Sequence, residues 1–339
     1  SLSGSSFTLA GRPVFFSPAN ALTVALFVER RSEFAVYLRE DIGGGLTFNR
    51  ETQSQVPISI AYRLAYGFTE ANAVSFCAFF NACTDTDIHQ LRERRLSATL
   101  TFGVQRPRAN NPLDPTRGSV LSAEMTHSSR LIGSSKFSQF TRVSGDASLY
   151  RPFGTVVLAL HLRAGIVVAP RLALSGGASN FVPPEHRFYA GGPNDVRGYN
   201  RNELGPLVYV IPESAVTLDP SGTVVYPEAR VRTAATGGNT LLVANAELRI
   251  PSPIFPTRFR LAGFVDGGTV WERGGGAGSG ASFRITPGFG VRFVTPLGPA
   301  RVDFAYNPNN LPAGRLYLIR SSGQIDLVNA NYQRTRKSG

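Results

Sequence analysis

Histidine is the side chain best suited to acid–base and metal chemistry near neutral pH, and the four histidines of this sequence are dispersed. None lies in a nucleophile or zinc motif such as GxSxG or HExxH. His161, two residues before Arg163 in an alternating segment, is interpreted as a hydrated wall residue. The sequence therefore predicts no catalytic residue, no cofactor, no metal site and no enzymatic activity. The histidines are His89, His127, His161 and His186.

The two cysteines, Cys77 and Cys83, lie in one short segment, FCAFFNACTDTD. Such a pair is typical of a local disulfide in an oxidising compartment, with two free thiols as the alternative. A metal site made by this pair with His89 is disfavoured, because the sequence shows no fourth ligand.

The basic charge of the chain is spread rather than clustered. The 339 residues carry a net charge of +12 with a pI near 10.3, and the lysines are Lys136 and Lys337, all other basic residues being arginine. A basic stripe with interleaved aromatic residues, which nucleic-acid binding requires, is missing, so no nucleic-acid partner is predicted. No apolar run reaches the length of about eighteen residues that a transmembrane helix needs.

Apolar and polar residues alternate with period two along most of the chain, which predicts β-strands. The segment 300–306, for example, places Arg301 and Asp303 opposite Val302 and Phe304. About twelve such strands can be read. They lie near residues 7–16, 21–31, 35–48, 56–68, 95–105, 119–128, 137–150, 155–165, 240–250, 259–271, 283–294 and 300–306.

These strands have the length that a tilted strand needs to cross a bilayer, about nine to eleven residues. Short links alternate with long ones, as in an antiparallel up-and-down meander, and an open sheet edge is not tolerated in lipid. The sequence therefore predicts an all-β fold, a transmembrane β-barrel over residues 1–339, with a large soluble all-β protein as the alternative. Aromatic residues near strand ends suit interfacial girdles: Phe15, Phe16, Tyr66, Phe68, Trp271 and Tyr306.

Three motifs carry a resemblance to a known family. They are RFYAGGPNDVRGYNRNELGP at 187–206, GFVDGGTVW at 263–271 and TPLGPARVDFAYNP at 295–308. In these residues the chain resembles the BamA/TamA outer-membrane assembly-factor superfamily, also called the bacterial surface antigen family. The first motif is the specific one, and the resemblance extends loosely over the whole chain.

The resemblance implies that the long loop, residues 168–239, folds back into the barrel lumen and docks on the inner wall through its VRGY tip. The family's acidic partners of the tip arginine correspond to Glu247 and Asp266. The alternation agrees, because Glu247 shares a polar face with Asn245 and Arg249. An arginine fork between two inward carboxylates makes several charge-assisted hydrogen bonds, so Arg197 is interpreted as a latch. The loop motif residues are Gly191, Gly192, Val196, Gly198 and Tyr199.

The chain also departs from the family. The family barrel has sixteen strands, whereas about twelve are visible here, so we expect roughly the fourth to the fifteenth strand of an incomplete barrel. The first strands, the last strand and the periplasmic POTRA repeats are not visible. A small closed barrel of twelve strands is the alternative.

The resemblance implies a bacterial outer-membrane factor that assembles and inserts other outer-membrane proteins. Its expected partners are the outer-membrane bilayer, unfolded outer-membrane protein clients and periplasmic accessory proteins. Two alternatives stay open at this point: a two-partner secretion pore, and a barrel that anchors a passenger such as a patatin-like lipase.

Overall fold

The computed structural model describes most of the chain. The described residues are 6–10, 14–17, 19–33, 36–54, 56–71, 73–80, 84–174, 177–220, 224–255, 259–274, 280–295 and 298–334. Within them, no helix has both the length and the apolar character that crossing a bilayer requires.

The elements are mainly β-strands. The two α-helices are α1 (Ala73–Phe80) and α2 (Asp85–Arg92). The strands, in chain order, are β1 (Ser6–Ala10), β2 (Val14–Ser17), β3 (Asn20–Glu33), β4 (Tyr37–Glu51), β5 (Pro57–Ala71), β6 (Arg95–Ala109), β7 (Gly118–Ser128), β8 (Phe140–Phe153), β9 (Val156–Val168), β10 (Arg171–Leu174), β11 (Gly177–Asn180), β12 (Leu207–Pro212), β13 (Thr217–Leu218), β14 (Val224–Val225), β15 (Arg232–Ala235), β16 (Thr240–Pro251), β17 (Phe259–Trp271), β18 (Arg284–Thr295), β19 (Gly298–Ala305), β20 (Gly314–Ile319) and β21 (Ile325–Tyr332).

Thirteen strands form one antiparallel meander in the order β1-β3-β4-β5-β6-β7-β8-β9-β16-β17-β18-β19, with β2 also on β3. Because β1 and β2 both pair with β3, they share one position and the sheet has twelve positions. The strand β9 pairs directly with β16, so the segment between them leaves and re-enters the sheet at adjacent strands. Within the described residues, no pairing joins β19 to β1 or β2. The prediction of an antiparallel up-and-down meander of about twelve strands is confirmed.

The apolar residues lie on the exposed face of the sheet. Leu26 is 64% exposed, Val28 57% and Phe289 65%, whereas the opposite face buries Asp266 and Glu247. A soluble protein buries its apolar face. The reversed pattern is that of a barrel whose outer face meets lipid and whose inner face is polar.

The two ends of the meander differ in the length of their connections. One end carries short turns, such as those after β4, β6 and β8. The other end carries α1, α2, the segment between β9 and β16, and the hairpin of β20 and β21. There β15, β12, β20 and β21 form a second sheet, in which β12 and β20 are parallel. Val74 and Ala78 of α1 pack on Val208 and Tyr317 of this sheet.

The two helices and the second sheet are not among the elements predicted from the sequence, whose alternation indicates β-strands along most of the chain. Both helices have only eight residues, which is about two turns and too short for a periodic signal. Thr84 caps α2 by accepting from the backbone N–H of Asp87, which is a local signal the sequence does carry.

Candidate functional site: the loop held in the lumen

The part of the segment 169–239 around residues 185–204 enters the interior from the end with the long connections. Its base is fixed by an isolated bridge between Phe188 and Gly238. Arg187 donates to the Thr236 carbonyl at 2.9 Å and forms an ion pair with Glu272. These contacts tie the base of the loop to itself and to the residue that follows β17.

Left-handed backbone conformations allow the loop to reverse at its tip. Gly191 has φ +104°, and a Cβ placed there would lie 2.7 Å from the carbonyl oxygen of Asn200. Gly198 has φ +89° and lies close to Ala305 and Asn307 on the wall. A side chain at either position would be strained, which explains why the motif needs glycine there.

Arg197 sits at the tip and is bound by Asp266 in three ways. Its Nε donates to Asp266 Oδ2 at 2.6 Å and its Nη2 donates to Asp266 Oδ1 at 2.8 Å. The backbone N–H of Arg197 also donates to Asp266 Oδ2 at 3.0 Å. Asp266 is completely buried, so this fork supplies a compensating cation to a carboxylate that would be costly to bury unpaired.

The remaining guanidinium nitrogen of Arg197 reaches two further carboxylates. Nη1 donates to Glu247 Oε2 at 2.9 Å and to Asp303 Oδ2 at 3.3 Å. Glu247 also accepts from Arg249 Nε at 2.9 Å and forms an ion pair with Arg292. Three arginines and three carboxylates therefore form one network across β16, β17, β18 and β19.

The structure thus brings together all three residues of the predicted latch, and it adds four that were not predicted to belong to it. These are Asp303, Arg249, Arg292 and Phe264, whose ring centroid lies 3.4 Å from Arg197 Cζ. The sequence signal for Asp303 was its inward phase in 300–306, but a contact across 106 positions has no local signature. Whether the network works as a latch stays a proposal.

Apolar packing supports the same docking. Val196 is fully buried, Tyr199 is 5% exposed, and both join a cluster with Val243 and Val270 of the wall. On the other side of the tip, Arg163 Nη1 donates to Asp195 Oδ1 at 2.8 Å. A cavity of about 260 Å³ remains between the tip and the wall formed by β8, β9 and β16.

A second set of contacts ties the loop to the opposite wall, on β3 and β4. Arg39 of β4 forms an ion pair with Glu185 of the loop, and both side chains are nearly buried, at 13% and 10% exposure. Arg39 also pairs with Asp41 on its own strand. Arg201 Nε donates to Glu33 Oε1 at 2.8 Å. The loop therefore spans the interior from β16–β19 to β3–β4.

We call the contacts of Glu185 with Arg39 and of Arg201 with Glu33 the second clamp. His186 lies beside it, in the 3-10 helix Pro184–His186. Its ring stacks on Phe140 with centroids 4.0 Å apart. Burial lowers the pKa of His186 well below its ordinary value, and the charges of Arg39, Arg142 and Arg31 lower that pKa further.

The other chemistry-bearing residues do not form a reactive site. His161 Nε2 contacts Asp146 Oδ2 at 2.8 Å on the inner wall. Within the described part of the chain, no group of three or more histidine, cysteine, aspartate or glutamate side chains could hold a metal ion. Cys77 is buried in α1, and Cys83 lies outside the described residues, so the disulfide stays a prediction.

Comparisons with known proteins agree with this architecture. The Omp85 superfamily domain matches residues 5–318. The outer membrane protein assembly factor BamA of Neisseria meningitidis serogroup B is 28% identical over 233 residues, covering 61% of this chain and 26% of BamA. The chloroplastic outer envelope protein 80 of Arabidopsis thaliana is 30% identical over 171 residues, covering 46% of this chain and 18% of that protein.

The chain therefore spans about a quarter or less of the length of these relatives. Among solved structures, BamA from Haemophilus ducreyi lacking POTRA domains 1–3 matches with a TM-score of 0.67 at 18% identity. The match covers 97% of this chain and 62% of that one, which shows a shared fold.

Proposed function

We propose that this chain, which belongs to the Omp85 superfamily and is a β-barrel protein of the bacterial outer membrane, is the barrel of an assembly factor. In this role it inserts other β-barrel proteins into the outer membrane. The activity is non-enzymatic and uses no cofactor. Its partners are the bilayer, unfolded outer-membrane proteins and periplasmic accessory proteins.

One observation supports assembly over transport through the lumen. Residues 185–201 of the long loop cross the interior and are held on two walls, by Arg197 at β16–β19 and by Glu185 at β4. A lumen occupied in this way is unsuited to a permanently open channel. The work on a client then takes place at the barrel wall, where a client strand can pair with a strand edge through main-chain hydrogen bonds.

The test is a folding assay with the full-length protein in phosphatidylcholine vesicles. The client is a urea-unfolded outer-membrane barrel of eight strands, and its folding is followed by heat-modifiable gel mobility. We expect faster folding than with empty vesicles or with an unrelated barrel at the same protein-to-lipid ratio. Equal rates in all three would overturn the proposal.

The same preparation separates the secretion-pore alternative. A pore gives a stable open conductance in planar bilayers, whereas a barrel whose loop is clamped on both walls is expected to stay closed. Stable conductance together with no acceleration of client folding would favour the two-partner secretion pore.

A further inference from the structure

The outer face of the sheet carries a group of arginines at the end with the short turns. We call this group the arginine band. Arg106 pairs in register with Leu121, and Arg151 pairs with Leu158, so both share the face of the outward apolar residues. All four arginines of the band are exposed. The band consists of Arg50 on β4, Arg106 and Arg108 on β6, and Arg151 on β8.

The register places these arginines in a band that follows the plane of the membrane. Arg50 is level with Ile58, which is level with Val104, so Arg106 lies two residues further along over two strands. Arg108 is level with Ser119 and so with Leu149, and Arg151 again lies two residues further over two strands.

In a barrel with tilted strands, residues at the same height above the membrane plane are displaced by about one residue from each strand to the next. With about 4.8 Å between strands and about 3.4 Å per residue, the shift corresponds to a tilt of about 35°. Arg50 and Arg106 therefore share one height, and Arg108 and Arg151 share the next. The band borders the outward apolar residues Phe102 and Val104 on β6 and Leu149 on β8.

The arginines of the band differ from the arginines of the inner wall in their ion pairs. On the inner wall, Arg39, Arg197 and Arg249 each pair with carboxylates. Across the residues that the structure describes, none of the four guanidinium groups of the arginine band has an ion pair or a hydrogen bond to protein. Four positive charges on one outward rim are thus left for a partner outside the chain.

The opposite rim is not equivalent. There the outward residues Arg30 and Arg94 flank Glu40, at 3.4 Å and 3.6 Å. That carboxylate offsets part of their charge. The uncompensated band is therefore a property of one end of the barrel.

We propose that the arginine band binds the phosphate groups of anionic phospholipids in the periplasmic leaflet. The short turns of outer-membrane barrels lie on the periplasmic side, which places the band at that leaflet. An arginine fork matches the oxygens of a phosphate, and the apolar stem of the side chain can lie against acyl chains. Because the band borders the apolar belt, a lipid satisfies both surfaces, whereas an acidic soluble protein satisfies only the charges.

This binding needs only the membrane orientation of the strands, and it does not depend on the assembly function. The test uses the full-length protein in nanodiscs that contain equal amounts of phosphatidylglycerol and phosphatidylcholine. Native mass spectrometry counts the lipids that stay bound after release into detergent. The variant is R106Q/R108Q/R151Q. The matched control R30Q/R94Q/R232Q removes the same charge from the other end, where Arg232 is exposed in the second sheet.

We expect the unaltered protein and the control to retain phosphatidylglycerol over phosphatidylcholine, and the band variant to lose about tenfold of that preference. Heat-modifiable mobility verifies that all three proteins are folded. An unchanged preference in the band variant overturns the proposal. Displacement of the lipid by excess inorganic phosphate also overturns it, since the site then reads free phosphate. The proposal is likewise overturned if the band variant keeps its lipids but loses cross-links to an acidic periplasmic protein.

Discussion

The guanidinium of Arg197 lies on the face of the Phe264 ring, with Cζ 3.4 Å from the ring centroid, while its edge is filled by carboxylates. One arginine thus uses both of its surfaces, the flat face for a cation–π contact and the edge for charged hydrogen bonds. A lysine ammonium is a compact point charge and cannot reproduce the two together. The identity of the tip residue is therefore set by geometry as well as by charge.

Replacing Arg197 by alanine is expected to lower the free energy of unfolding by up to about 3–5 kcal/mol, because Asp266 is left buried without its cation. A hydrated lumen reduces this loss. The stability of Arg197→Lys should lie between that of the unaltered protein and that of Arg197→Ala, since the charge stays but the fork of hydrogen bonds is lost. Denaturant unfolding in detergent measures the loss, and limited proteolysis reports whether 169–239 is released. The exposed Arg232→Ala serves as the control, and equal stability of all variants would refute the latch.

The ring of Phe264 has room because residue 288 on the neighbouring strand is glycine. A Cβ at Gly288 would overlap that ring and lie 2.5 Å from the carbonyl oxygen of Phe304. We expect Gly288→Ala to displace the ring, to loosen the Arg197 contact and to cost about 1–3 kcal/mol.

The matched control for this overpacking is Gly263→Ala on β17, where a Cβ meets nothing within 4 Å. The melting temperature in detergent and the rate of loop proteolysis should change in Gly288→Ala and stay unchanged in Gly263→Ala. Similar behaviour of the two variants would show that the close approach under Phe264 is not important for docking.

The second clamp predicts redundancy between the two walls. Glu185→Gln removes the ion pair with Arg39 but leaves the Arg197 network intact. Each single variant should therefore keep part of the loop protected, and E185Q/R197A should be cleaved faster than the product of the single effects predicts. A double variant that behaves like R197A alone would mean that the contacts on β4 do not hold the loop. Arg39 keeps Asp41 as a partner, so the variant does not leave a bare buried charge.

The strands and the inward phase of the latch residues could be predicted because period two is a local property of the sequence. The resemblance supplied Glu247 and Asp266 and their connection to Arg197, and the alternation along each strand agrees with an inward position for both. The position of Asp303 on the inner face was also predictable, but its contact with Arg197 was not. The pairing of β12 with β20 joins residues about a hundred positions apart through backbone hydrogen bonds, which no local side-chain pattern encodes.

Acid is expected to weaken the second clamp through His186. Its pKa is depressed in the folded protein, first by burial and then by Arg39, Arg142 and Arg31, from strands β4, β8 and β3. Glu185, beside it in the 3-10 helix, is engaged by Arg39. His186 is only half-buried from solvent, but the protein packed around its ring still disfavours the protonated form and so lowers the pKa.

Since the folded pKa lies below the unfolded value of 6.5, the unfolded or undocked state binds the proton more readily. The stability of the docked loop is therefore complete above that value and is lost as the pH falls below it. Proteolysis of 169–239 with an acid-tolerant protease, from about pH 7.5 to about pH 5, should accelerate towards the acid end. His186→Gln cannot take up the charge and should flatten this dependence, so an equal acceleration in that variant would assign the acid sensitivity to other groups.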